Sequence, residues 1–230
     1  MRLRAAVLVA VSFTILASLP ASAASVSPSS SKLAATKPAA SKPKAESAKA
    51  PAAPLDSLTL LERAVAKDST DFQNLYRLGV LYLDRERMPE ATQVLKRALR
   101  ARPNDLKALV NLGAAADAQG YSGEAQGYYL KALEVSPGDS VATCRLASSL
   151  YAQQDYQKAM DLLRKLLVAK PNAHCAYFTM GVAFADAGLY RDAIRMWQRV
   201  VELAPESAEA VSARESIDVL AKYLTGQAGQ

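Results

Sequence analysis

Arg77, Asn111, Arg145 and Thr179 recur at intervals of 34 residues. Guanidinium, amide and hydroxyl groups all donate hydrogen bonds, and a row of them suits peptide carbonyls or a carboxylate, with guanidinium to carboxylate contacts the strongest. Covalent catalysis would have to start from Cys175, whose neighbour His174 is the chain's one histidine. Adjacent residues on a helix point about 100° apart, which is poor geometry for a thiolate and its base. A solvated histidine at a helix start is the simpler reading. The sequence contains no glycine-rich phosphate loop, paired-carboxylate signature or metal-ligand spacing, and two cysteines with one histidine make neither a disulfide framework nor a four-thiolate zinc site. The expectation is a chain that is no enzyme and holds no cofactor or metal.

What positions the row is an internal repeat. Pro103, Pro137, Pro171 and Pro205 are each 34 residues apart, and numbering each as position 32 of its unit brings other positions into register. Position 8 is Gly79, Gly113, Ala147 and Gly181, and position 20 is Ala91, Ala125, Ala159 and Ala193. Position 7 reads Leu78, Leu112, Leu146 and Met180; position 24 reads Leu95, Tyr129, Leu163 and Trp197; position 27 reads Ala98, Ala132, Leu166 and Val200. Leu75, Leu78, Gly79 and Tyr82 make one helical stripe, and Ala91, Leu95 and Ala98 resume it after Arg87-Met88-Pro89, so each unit reads as two amphipathic helices. Pro89 sits where a first helical turn tolerates proline. Small residues at positions 8 and 20 let the two helices approach closely, while the proline at 32 ends the second helix. A single hairpin cannot bury its apolar stripe, so hairpins must stack around a shared core.

The pattern resembles the tetratricopeptide repeat family over residues 72–205 without a gap. The resemblance implies an all-α fold, an α-α superhelical solenoid with units at 72–105, 106–139, 140–173 and 174–207. Two departures, Thr143 at position 4 and Ala147 in place of the usual glycine, predict a looser third unit. Beyond Pro205, Ser207 caps a helix through Ala210, Ile217, Leu220 and Tyr223, with Arg214, Glu215, Asp218 and Lys222 toward solvent, which suits a capping helix over 208–224. Before the first unit, Leu61 and Ala64 precede Leu95 and Ala98 by 34 residues, and with Leu60 and Val65 they mark residues 55–71 as a degenerate half repeat with its helix over 56–68.

In this family the first helices line a concave groove through positions 2, 5, 6, 9, 12 and 13. Carried onto this chain, the resemblance implies a groove lined by Tyr76, Arg77, Val80, Lys107, Val110, Asn111, Ala114, Arg145, Ser148, Phe178, Thr179 and Val182. Such a floor suits an extended or helical peptide. Some members clamp a C-terminal carboxylate there; Asn111 and Arg145 match that pattern, whereas Tyr76, Val80 and Val141 do not. A weaker anionic or backbone contact at Arg77, Asn111 and Arg145 is the expectation. Trp197, at a position that is apolar in every unit, reads as core.

The ends carry a different message. Residues 1–54 hold seven basic side chains and one acid, the entire excess of the chain's +6, and the remainder is balanced at 21 of each sign. A neutral folded part has no broad electrostatic footprint for nucleic acid, which leaves the protein or peptide partner that the resemblance implies. Arg2 and Arg4, an apolar run from Ala5 to Leu19, and Ala21-Ser22-Ala23 specify an export signal over 1–23. The run of about 15 residues is short of the roughly 20 that span a bilayer, which leaves a signal anchor as the minor alternative. Residues 24–54, nearly all Ala, Ser, Pro, Lys and Thr, read as a disordered tether reaching up to about 90 Å, with five lysines able to touch an anionic envelope surface weakly. The expected location is periplasmic, or secreted. In such an oxidising compartment Cys144 and Cys175, both on the groove side by the resemblance, form either a bridge, if their Cα atoms lie within about 7 Å, or two separate thiols.

Overall fold

The computed structural model describes residues 56–228, which form ten helices. The expected signal and tether, residues 1–54, lie outside the described residues. In chain order the helices are α1 (Ser57–Lys67), α2 (Phe72–Asp84), α3 (Met88–Ala101), α4 (Leu106–Ala118), α5 (Ser122–Val135), α6 (Ser140–Ala152), α7 (Tyr156–Ala169), α8 (His174–Asp186), α9 (Tyr190–Leu203) and α10 (Ala208–Ala228). The architecture is the all-α solenoid expected, with α2–α3, α4–α5, α6–α7 and α8–α9 as successive hairpins.

Local chemistry sets the helix ends. Asp71, Asp105 and Asp139, all at position 34, cap α2, α4 and α6 by accepting the amides of Asn74, Ala108 and Ala142 at 2.8 to 2.9 Å. Pro89 falls in the first turn of α3, where its missing amide proton costs nothing. Between the helices of each hairpin, position 15 adopts the left-handed conformation every time: Glu86 at φ 57°, Gly120 at 81°, Gln154 at 67° and Gly188 at 77°.

The alanines at position 20 are fully buried in all four units, and so are the large side chains of position 24. Glycine at position 8 is there because the side chain at position 24 lies against its backbone. A Cβ on Gly79 would come within 2.7 Å of Leu95, and at Gly113 and Gly181 it would come within 2.4 Å of the rings of Tyr129 and Trp197. The third unit carries Ala147 at this position, and α6 and α7 lie in looser apposition than the helices of the other hairpins. Thr143 is buried in that unit, with its hydroxyl satisfied by the Asp139 carbonyl at 2.7 Å.

Successive first helices approach closely along the stack, α2 to α4, α4 to α6, α6 to α8 and α8 to α10, whereas successive second helices stand further apart, α3 and α5 meeting through the Lys96–Glu124 ion pair at 3.8 Å. The stack therefore curves with the first helices on its inner side. At the C-terminal end the Ser207 hydroxyl accepts the Ala210 amide at 3.1 Å, and Ala210, Ala213 and Leu220 seal the last hairpin. This helix runs on to Ala228, four residues past the expected end, and Tyr223 is half-exposed against Tyr190 rather than buried. At the other end α1 buries Leu58 and Val65, while Leu60 is 52% exposed. Its stripe is rotated from the expected one because α1 has no first helix of its own and packs only against α2.

Candidate functional site

The inner face is built from parallel helices that each start at an equivalent position, so side chains of equal rank fall side by side. Side-chain links cross it from helix to helix. The Asn111 amide donates to the Tyr76 hydroxyl at 3.2 Å, joining α4 to α2. Ser149 on α6 donates to Asp117 on α4 at 2.8 Å. Thr179 on α8 donates to the Cys175 carbonyl at 3.0 Å and lies 3.4 Å from the Ser148 hydroxyl of α6. Tyr151 on α6 donates to Asp186 on α8 at 3.2 Å, and burial with the adjacent Asp186 charge pushes its phenol up to about 12. Cys144 on α6 and Cys175 on α8 are joined as a disulfide, with Cα atoms 6.1 Å apart.

Asp117 is the most constrained polar group of this face. Its two oxygens accept from Ser149 and from the Tyr129 hydroxyl at 2.9 Å, and the Arg145 charge acts on it. Burial nevertheless dominates and raises its carboxyl above the ordinary range, against those three contacts and a fourth from the Ser122 side chain. The same burial, together with the Asp117 charge, raises the Tyr129 phenol. Asp84, one position further along its helix in the first unit, is raised by burial alone.

The row at position 6 is thus partly committed. Arg77 is exposed, Asn111 is spent on Tyr76, Arg145 acts on Asp117, and Thr179 is turned back on its own helix. Lys107 is exposed; Tyr76, Val80, Ser148, Phe178 and Val182 are half-buried on the face; Val110 and Ala114 are buried beneath it. His174 is the first residue of α8, and its neighbour Cys175 is consumed in the bridge. Trp197 is buried, its indole nitrogen donating to the Phe178 carbonyl at 3.3 Å. Asp117, Tyr151 and Asp186 were not singled out from sequence, although positions 12 and 13 are groove positions in the family pattern. The available signal was a carboxylate at one of those two positions in three of four units. Among the described residues no group of three His, Cys, Asp or Glu side chains could hold a metal ion, and no helix is long and apolar enough to cross a membrane.

The tetratricopeptide repeat family model matches residues 54–105, 110–174 and 178–214, and the chain belongs to that family. Among solved structures it is similar to TTC0263, a thermophilic repeat protein of Thermus thermophilus, at 20% identity and a TM-score of 0.59 over 70% of this chain and 88% of that one. It is also similar to MamA, at 20% identity and a TM-score of 0.54 over 66% and 89%. A third is YrrB, described as a repeat protein with an unusual peptide-binding site, at 22% identity and a TM-score of 0.50 over 69% and 81%. These likenesses show the fold. A curated relative, the peroxisomal targeting signal receptor of Eremothecium gossypii, is 24% identical over 65% of this chain, which spans about a third of that protein's length (32%).

Proposed function

We propose that the chain is an exported, non-enzymatic interaction module that docks a peptide or a partner protein on its inner face. The observation that carries this reading is the curvature. First helices gather on the inner side and second helices fan out, which leaves a channel floored by Tyr76, Val80, Phe178 and Val182 with Arg77 and Lys107 open to solvent. An apolar floor with a few charged donors matches what an extended or helical peptide requires. The peptide-binding site ascribed to YrrB and the targeting-signal receptor among the relatives support the same class of partner. Changing Arg77, Asn111 and Arg145 together to alanine weakens the partner complex by about tenfold or more if charged donors are engaged. Unaltered affinity removes the assignment of the face. Export rests on residues 1–23, and sequencing the N-terminus of the mature protein tests it, with a start close after Ala23 as the expected result.

A second reading draws on the charge distribution: all of the chain's net charge sits in residues 1–54, which favours an arm that binds an anionic envelope surface while the solenoid is structural. Deleting residues 25–54 separates the two. A groove binder keeps its partner, and an arm-based anchor loses its attachment.

A further inference from the structure

The junction between the third and fourth hairpins departs from the two before it. The first helix of a unit ordinarily packs broadly against the preceding second helix, as α4 does on α3 and α6 on α5; α8 packs sparsely on α7 and more broadly on α6 than other neighbouring first helices do on each other. Burial differs too at positions 4, 7 and 11. In α2 these are Leu75, Leu78 and Tyr82 and in α4 Leu109, Leu112 and Ala116, all buried, whereas in α8 Tyr177, Met180 and Phe184 are only half-buried. Of these three, Met180 at position 7 faces the α6–α7 core, while Tyr177 and Phe184 pack toward α9. The cap is missing as well. Position 34 is Ala173, with no side chain to accept the free amides of the first turn, where the three preceding units have aspartate.

At this uncapped start stands the disulfide. Cys175 is the second residue of α8, its sulfur lies 3.4 Å from the Ser140 carbonyl oxygen, and its partner Cys144 is buried in α6. Positions 5 and 2 of successive units, filled elsewhere by Tyr76 and Lys107 or Val110 and Val141, are here fused covalently on the inner face. The third hairpin is also the loosest, so the bridge runs from it across the junction between hairpins that packing holds least.

We propose that the Cys144–Cys175 bridge is a removable staple that sets the angle between the third and fourth hairpins, and so the width of the inner channel across its C-terminal half. Closed, it holds α8 against α6 and leaves the α7 side of α8 open. Opened, α8 closes on α7, covers Met180, and withdraws from α6. The opening agent is a dithiol. Its thiolate bonds to the half-buried Cys175 sulfur, the S–S bond breaks with its electron pair on Cys144, and Cys144 takes up a proton. The second thiol of the reductant then displaces Cys175 as a thiol and leaves as a disulfide.

The functional consequence rests on the inner face being the binding surface, but the staple itself is tested without any ligand, so the two readings fail separately. Hydroxyl-radical footprinting is carried out on the full chain as purified oxidised, after reduction with a dithiol, and on the Cys144→Ser, Cys175→Ser double variant. The expected result is a fall of about threefold in labelling of Met180 in the reduced chain and in the variant, with Met88 in the first hairpin unchanged. Equal labelling with and without the bridge overturns the proposal. So does a rise that includes Met88, which would make the bridge a general fastening of the fold.

Discussion

The ring of Tyr129 lies against the backbone of Gly113 so closely that a Cβ there would fall within the ring's van der Waals envelope. The same relation joins Gly181 to Trp197, and it fixes how near the two helices of a hairpin can come. Gly113→Ala and Gly181→Ala are each expected to destabilise the chain by about 1–3 kcal/mol through overpacking. Gly127, inside α5 with open space around it, gives the opposite sign. Gly127→Ala is expected to stabilise by about 0.5–1 kcal/mol, the helix-propensity difference. Urea unfolding of the three variants checks both signs, and a stabilising Gly113→Ala would contradict the packing described.

The left-handed turn at position 15 is occupied by Glu86 and Gln154 in two units and by glycine in the others. A side chain there costs roughly 1–2 kcal/mol through its Cβ. Gln154→Gly is expected to raise stability by about 1 kcal/mol, read as a higher urea midpoint with an unchanged slope. A lower midpoint would show that the side chain contributes more than its conformation costs.

Asp117 predicts a pH dependence of defined sign. Its carboxyl is raised in the folded chain, so the folded state holds that proton more tightly than the unfolded one. Its contribution to stability therefore declines as pH climbs from the unfolded value, about 3.9, through the raised folded value, and is flat above. Relative to Asp117→Asn, the parent chain should lose stability across that window. Unfolding midpoints of both chains from about pH 3.5 to 7 measure the difference, and a difference that is constant or reversed would contradict the burial of this group.

The periodicity of Pro103, Pro137, Pro171 and Pro205 made the hairpins legible in the sequence, because period, small residues and helix breakers all point to one solution. The loosened third unit was legible for the same reason, through Ala147 and Thr143. The left-handed position 15 was missed because Glu86 and Gln154 mask a signal that Gly120 and Gly188 carry alone. The rotation of α1 was missed because a stripe with no partner helix is free to turn toward whatever neighbour it has. The site was less legible than the fold. The sequence placed Arg77, Asn111, Arg145 and Thr179 in one row, but whether a donor faces the channel or a neighbour depends on residues one unit away, as Tyr76 and Asp117 show. The altered α7 to α8 junction has a sequence trace in Ala173, where three aspartates set the expectation of a fourth cap.

The central claim, that the inner face is where the partner docks, is tested most directly by site-specific photocrosslinking in the native compartment. A benzophenone amino acid is placed in turn at Arg77, exposed on the inner face, and at Val168, 86% exposed on α7 of the outer row. A discrete crosslinked adduct from position 77 and none from position 168 is the expected result. An adduct from position 168, or none from position 77, would contradict it.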